Sequence, residues 1–359
     1  MKKTFILLLL FTPAIAAFPQ KKNLRLGRVP GYVTLAGNFH THTIFSDGEV
    51  WPTVRLDEAE QYGLDVIAFT DHIEYIPHKD YVSTDLNAAW NIAKEEGVKR
   101  DIIVIHGTEI TRKMPPGHMN ALFISDANKL KDDNFMKVIE EAISQGAFIQ
   151  WNHPGWKAQR PDGIPRMDSV HHELISKRWL HGIEVYNYTE FYPDVINWCL
   201  EYNLAMTGNT DIHGPVGSEE TGKGQSHLPM TLVFAKNRTE TDVKEALFDG
   251  RTLVWFGDTI AGRKDLAKDF FLSSIEFGKV YYQNDKSKYR FVTNKTDIPY
   301  SLSISPSGSD VSPVRISIPA NSSARLRLPK ESNSFLRVTV ENILVGKGEN
   351  LKLELNPAD

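Results

Sequence analysis

Six histidines and three carboxylates recur in short clusters, each close to one end of an apolar run. His40-Thr41-His42 follows Leu35-Ala36-Gly37-Asn38-Phe39, with Asp47 shortly after. Asp71-His72 follows Val66-Ile67-Ala68-Phe69, Glu109 stands just beyond the run ending at His106, and His118 precedes Ala121-Leu122-Phe123-Ile124. Asn152-His153-Pro154 follows Phe148-Ile149-Gln150-Trp151, and Asp211-Ile212-His213 closes the series after Leu204-Ala205-Met206. Residues two apart on a strand face the same way. His40 with His42, and Asp211 with His213, therefore each deliver two donors to one place. Crowded carboxylates repel one another and crowded imidazoles lack partners unless a positive charge joins them. Divalent cations supply that charge, and mixed nitrogen and oxygen donors suit zinc, manganese or iron better than calcium or copper(I). Singly these pieces say little, since H-x-H, Asp-His and His-Pro all occur on surfaces and in cores. Their common placement at strand ends carries the reading.

Those ends must be brought to one face. From about residue 33 to 256 short apolar runs alternate with amphipathic stretches near 52–62, 86–96, 133–145, 193–203 and 240–249. Uniform apolar strands separated by helices predict a parallel sheet buried on both faces, and about seven such units predict a closed or nearly closed β/α barrel. In such a barrel the C-terminal strand ends converge on one mouth. After about residue 270 the pattern changes to short alternating segments, such as Arg315-Ile316-Ser317-Ile318, separated by turn-like clusters. That texture predicts a small β-sandwich that braces the barrel, borders the substrate or binds carbohydrate. No histidine follows His227, so the chemistry belongs to the first domain.

At the start, Lys2 and Lys3 precede an apolar run from Phe5 to Phe11, and Ala14-Ile15-Ala16 ends it. This is the pattern of a secretory signal and is too short to span a membrane. The expected organisation is a signal over 1–17, a barrel over 18–256, a linker over 257–270 and a sandwich over 271–359. The mature protein is expected to be exported, periplasmic or extracellular, with no membrane attachment. Cys199 is the one cysteine, which excludes an intrachain disulfide, and the formal net charge of −4 gives no reason to expect nucleic acid as a partner.

The ordered motifs resemble the PHP (polymerase and histidinol phosphatase) superfamily. They are His40-Thr41-His42 with Ser46-Asp47-Gly48, Thr70-Asp71-His72, Gly107-Thr108-Glu109, Gly117-His118, Asn152-His153-Pro154 and Asp211-Ile212-His213. The resemblance implies a distorted (β/α)7 barrel holding two or three divalent ions. It implies His40, His42, Glu109 and Asp211 around one ion, Glu109 bridging to a second with His118 and His153, and Asp47, His72 and His213 around a third. Asn38 departs from the pattern, since many members carry Asp there. Together with the signal and the sandwich, the resemblance points to a secreted branch that cleaves a phosphate mono- or diester of a small molecule. Asp211 and His213 are ligands first and candidate acids second. Arg112 and Arg160 are candidate phosphate clamps by their planar donor forks, and Tyr186 a candidate substrate contact. His78, His106, His171, His172, His181 and His227 are expected to be surface or structural. Two rival readings are an amidohydrolase-type enzyme acting on C–N or lactone bonds and a non-catalytic binding module. All nine expected ligands are present, which disfavours the second.

Overall fold

The computed structural model describes residues 22–218, 227–307, 312–330 and 335–356, so the expected signal segment lies outside the described residues. The first half of the barrel runs β1 (Val33–Asn38), α1 (Pro52–Tyr62), β2 (Val66–Phe69), α2 (Ala88–Lys99), β3 (Ile103–Ile110), β4 (Met119–Leu122) and α3 (Phe135–Ser144). It continues with β5 (Phe148–Trp151), α4 (Ser169–Ser176), β6 (Gly182–Asn187), β7 (Glu190–Phe191), α5 (Pro193–Glu201) and β8 (Ala205–Asn209). β9 (Met230–Ala235), α6 (Glu240–Phe248) and β10 (Thr252–Phe256) complete it. The helices follow local chemistry. α1 opens on Pro52, whose missing N–H costs nothing in a first turn. At α3 the Asn134 side chain accepts from the Lys137 N–H, and Val138, Ile139 and Ala142 are buried.

The barrel has the expected parallel core, with β4 and β9 running against it. β1–β2, β2–β3, β5–β6 and β6–β8 are parallel, but β4 runs antiparallel to β3 and β5, and β9 antiparallel to β1 and β10. The reason at β4 is connection length. Only residues 111–118 separate β3 from β4, and a parallel crossover needs a dozen or more. β8 reaches β9 and β10 through threonines: Thr231 Oγ1 bonds both the Gly208 N–H (2.9 Å) and the Gly208 carbonyl (3.0 Å), and Thr252 Oγ1 donates to Met206 O (2.7 Å). Glycine is required at 208 because an added Cβ would lie 2.2 Å from Val254 Cγ1.

The stretch expected as a linker is ordered structure: β11 (Thr259–Gly262) and α7 (Lys264–Ser274). Its buried residues Ile260, Ala261, Leu266, Ala267 and Phe270 give it an apolar face that a free connection would expose. β11 is hairpinned to β10 and lies parallel to β18 (Leu336–Gly346), so the barrel sheet runs on into the second domain. There β12 (Ile275–Phe277), β13 (Tyr282–Gln283), β14 (Ser287–Asn294) and β17 (Ser323–Pro329) form one sheet. β15 (Tyr300–Pro306), β16 (Val314–Ile318), β18 and β19 (Glu349–Leu355) form the other layer. Phe271 of α7 meets Tyr300 edge-on at 5.3 Å, within a core that joins both domains. Among the described residues, no helix is long and apolar enough to cross a membrane.

Candidate metal centre

His40 and His42 lie just past β1, and the backbone there pairs with the segment just past β8. The Asp211 N–H donates to His40 O (3.0 Å) and the His42 N–H to Ile212 O (3.1 Å). Isolated parallel bridges, Thr41 to Ile212 and His72 to Glu109, carry the pairing beyond the regular strands. Glu109 lies near the end of β3, His118 directly before β4 and His153 just after β5. Asp47 comes from the turn after His42, where Gly48 covers the His42–Thr43 peptide so closely that a Cβ would sit 2.6 Å from its atoms. That contact accounts for the glycine after Asp47.

All nine expected ligands meet at this mouth. They form four overlapping groups whose donor atoms lie within 4.8 Å of one another: His42/Asp47/His72/His213, His40/His153/Asp211, His40/His42/Glu109 and Glu109/His118/His153. Asp211 Oδ1 is 3.1 Å from His40 Nε2 and 3.0 Å from His42 Nε2. Glu109 Oε2 lies 2.9 Å from His72 Nδ1 and its Oε1 3.1 Å from His118 Nδ1. Asp47 Oδ1 is 3.4 Å from His72 Nε2 and 3.3 Å from His213 Nε2. Three of these atoms, His40 Nε2, Asp47 Oδ1 and Glu109 Oε2, are buried without a hydrogen bond. Polar atoms are rarely left so, and cations held by these groups would satisfy them, one beside His40 and Glu109 and another beside Asp47. The donor set therefore fits divalent metal ions.

The electrostatics agree. Burial disfavours the charged form of Glu109, yet the neighbouring His72, His40 and His118 hold its carboxyl well below the usual range. Burial alone would lower His72 and His213, but Glu109 with Asp47 raises the first to about 10, and Asp47 with Asp211 raises the second to about 9. His42 falls to about 3, by burial and by the charges of His213 and His72. Two of the ligands have positive φ, Asp211 at 50° and His153 at 27°. Such conformations are costly outside glycine and persist when the surroundings hold them.

A second layer does the holding. Glu184 in β6 is fully buried. Its Oε1 is 3.0 Å from His40 Nδ1, and it accepts from the His153 N–H (2.7 Å), Asn187 Nδ2 (2.8 Å) and Asn209 Nδ2 (2.9 Å). It orients His40 so that Nε2 faces the mouth. Asp71 accepts from Thr43 N–H (2.7 Å), Thr43 Oγ1 (2.8 Å) and Ser46 Oγ (2.7 Å), and so shapes the turn carrying Asp47. Asn152 Nδ2 donates to Glu109 Oε1 (2.9 Å). Buried Arg55 donates to the carbonyls of His42, Ile212, His213 and Gly214, tying the two ligand segments together. At Asn38 the amide donates to Thr210 Oγ1 (2.7 Å) while its oxygen accepts from the Thr210 N–H (3.2 Å). Sequence reading missed Glu184 and Arg55. The available signal for Glu184 was a carboxylate inside an otherwise apolar strand.

The three expected substrate contacts are engaged elsewhere. Arg112 pairs with Glu74 and donates to Asp132 O (2.8 Å), Arg160 pairs with Asp168, and Tyr186 stacks on Phe256 at 4.3 Å. In each case a nearer partner captured the side chain, and none of the three lines the cleft over the ligands. That cleft, about 510 Å³, is walled instead by Trp156, Asn187, Tyr188, Thr189 and Glu190. The histidines expected to be structural include His171, which stacks on Trp151 at 3.8 Å, and His227, which bridges the Leu228 and Gly257 carbonyls (both 2.8 Å).

Known proteins share the two domains. A family model of the PHP domain matches residues 38–175, and one of an Ig-like domain matches residues 275–356. A crystal structure from Bacteroides vulgatus ATCC 8482 is of a two-domain protein containing a predicted PHP-like metal-dependent phosphoesterase. It is 37% identical, with a TM-score of 0.87, over 94% of this chain and 98% of that one. An uncharacterized protein of Methanocaldococcus jannaschii is 31% identical over 195 residues, 50% of this chain and 81% of that protein. By these matches, this chain belongs to the PHP family, as a two-domain member that carries a C-terminal Ig-like domain.

Proposed function

We propose that the protein is an exported metal-dependent phosphoesterase that hydrolyses a phosphate mono- or diester at a trinuclear centre. The observation that carries this reading is the convergence of nine donors on one mouth, with buried His40 Nε2, Asp47 Oδ1 and Glu109 Oε2 left without hydrogen bonds. The similarity to a protein described as containing a PHP-like metal-dependent phosphoesterase supports the ester class. His40, His42, Glu109 and Asp211 would hold one ion, Glu109, His118 and His153 a second, and Asp47, His72 and His213 a third. Zinc, manganese and iron suit these donors. Bound there, such ions polarise phosphoryl oxygens, acidify water toward neutral pH and offset charge on the departing oxygen.

The chain's own residues set the rest. Glu184 fixes the His40 ring, Asn152 and His118 both bond Glu109 Oε1, and Arg55 keeps the His42 and His213 segments in register. With side-chain exposures of 33% and 17%, His213 and Asp211 are among the more open of the nine toward the cleft. Both are ligands first. Either can act as the acid toward a leaving alkoxide only where it is released from its ion, and His213, the more exposed, is the more open to that role.

The test is hydrolysis of matched aryl phosphate mono- and diesters by the purified chain, after chelation and again with Mn²⁺ or Zn²⁺ restored. Metal-dependent turnover that disappears when His40 and His42 are both alanine is the expected result, and the preferred ester assigns the substrate class. No turnover of either ester with metal demonstrably bound would overturn the reading in favour of C–N or lactone hydrolysis.

A further inference from the structure

The wall of the cleft has a chemistry of its own. Trp156 remains 39% exposed although its ring lies 5.2 Å from that of His153 and 5.6 Å from that of His118. A large aromatic left open beside the ligand cluster offers a flat apolar surface where the bound substrate must pass. The neighbouring wall is the β6–β7 hairpin, in which Asn187 pairs with Glu190 across a two-residue turn, Tyr188-Thr189. Tyr188 has a φ of 53°. The first position of such a turn ordinarily goes to Gly, Asn or Asp, so a tyrosine there is held against its backbone preference. The turn is braced for it: the Tyr188 N–H donates to Asn209 O (3.2 Å), Asn187 Nδ2 donates to Glu184 (2.8 Å), and the Tyr192 hydroxyl donates to Glu190 (2.5 Å). A strained, braced turn at the edge of a site is a sign of function.

Charge narrows the ligand further. Among the described residues lining the cleft there is no lysine or arginine, while Glu190 contributes a carboxylate. Arg112 and Arg160, the nearest candidates by sequence, are already paired. A substrate phosphate would therefore depend on the ligand cluster, and a second anionic group in the wall region would meet Glu190 unscreened.

We propose that Trp156 and the Tyr188-Thr189-Glu190 turn form a subsite for the leaving alcohol, selecting one that bears a flat ring without negative charge. This rests on the phosphoester reading above. The ring stacks on aromatic faces, and the turn closes the cleft over it.

The test compares ethyl phosphate with 2-phenylethyl phosphate, two alkyl esters that differ by the ring, on the metal-loaded full chain. The ring ester is expected to have a kcat/KM higher by about 10-fold or more. Trp156→Ala and Tyr188→Gly should each bring the ratio toward one at unchanged metal content. Glycine accepts the positive φ at 188, so that variant keeps the fold. A carboxylate on the ring should abolish the preference, and Glu190→Gln should restore it. Independently of turnover, saturation-transfer NMR on the chelated chain should show contact with the ring protons of 2-phenylethanol, lost in Trp156→Ala. Equal efficiency on the two esters, with no Trp156-dependent transfer, would overturn the subsite and leave the phosphoester reading standing. Failure to hydrolyse either ester with metal bound would overturn the phosphoester reading and the leaving-group role with it.

Discussion

Imidazoles inside this fold are shifted in opposite directions. At the mouth, His72 and His213 are raised to about 10 and about 9, because Glu109, Asp47 and Asp211 outweigh the cost of burial. In the walls, burial prevails, and His106 and His181 fall to about 4. His181 packs against Phe148 and Phe248, and its Nδ1 accepts from the Ile149 N–H (3.0 Å). His171 similarly accepts from the Asp168 N–H (2.9 Å) while stacking on Trp151. Each wall histidine is a neutral packing group with backbone or aromatic partners; most mouth histidines face a carboxylate. Burial does not separate the two classes, since His40 and His171 are both fully buried. The balance of charges around the ring decides the direction: His42 faces Asp211, yet burial and the neighbouring His213 and His72 still hold it near 3.

Several substitutions and conditions would break or sharpen that contrast. The largest effect belongs to Glu109→Ala, which removes the carboxylate shared by five of the candidate ligand histidines, His40, His42, His72, His118 and His153. Turnover should fall by about 10³-fold or more, with metal content by elemental analysis falling alongside, whereas His171→Phe should leave metal content intact. Next comes acid. A histidine whose folded pKa is depressed contributes nothing well above its unfolded value near 6.5 and opposes folding increasingly as pH falls toward the folded value. His181 alone should cost about 2 kcal/mol between pH 6.5 and 4.5, measured by denaturant unfolding of the metal-free chain. His181→Asn should flatten that dependence.

Glu184→Gln keeps the size of the group that orients His40 but removes its charge. Metal affinity should drop by about 10- to 100-fold, read by competition with a chromogenic chelator. At the mouth the pH sign reverses. His72 and His213 stabilise the metal-free chain below about 6.5, and that contribution is lost as pH rises through their raised values. A cation must displace those protons, so binding should strengthen between pH 6.5 and 9, by up to about tenfold per pH unit for each proton released. Calorimetry in buffers of different ionisation enthalpy counts the protons. Smallest of all, Arg112→Ala should change turnover by less than about twofold, because its guanidinium serves Glu74 and Asp132 on the surface. A large loss there would place it at the substrate after all.

Much of the ligand set was legible because it is local. His40-Thr41-His42, Asp71-His72 and Asp211-Ile212-His213 are short motifs adjoining apolar runs, and a strand dictates where its own end points. The helices expected near 52–62, 193–203 and 240–249 were legible for the same reason, through periodicity, and form over Pro52–Tyr62, Pro193–Glu201 and Glu240–Phe248. Glu184 was not. In Gly182-Ile183-Glu184-Val185-Tyr186-Asn187 a carboxylate at every-other spacing reads as readily toward solvent as toward a barrel interior. Arg112 and Arg160 misled because nearness along the chain to Glu109 and His153 does not say which acid will capture a long side chain.

What the sequence alone determined is the roster of donors and the alternation of elements that carries them, since strand ends and x, x+2 spacing are properties of a few consecutive residues. What only the tertiary structure decided is everything that depends on distant partners. The antiparallel placing of β4 and β9 is one such feature, and the use of β11 and α7 as a seam is another. Glu184 behind His40, Trp156 and the Tyr188 turn over the ligands complete the set. Side-chain capture and sheet order are settled by competition among groups far apart in sequence, and the winner is known only once the chain is folded.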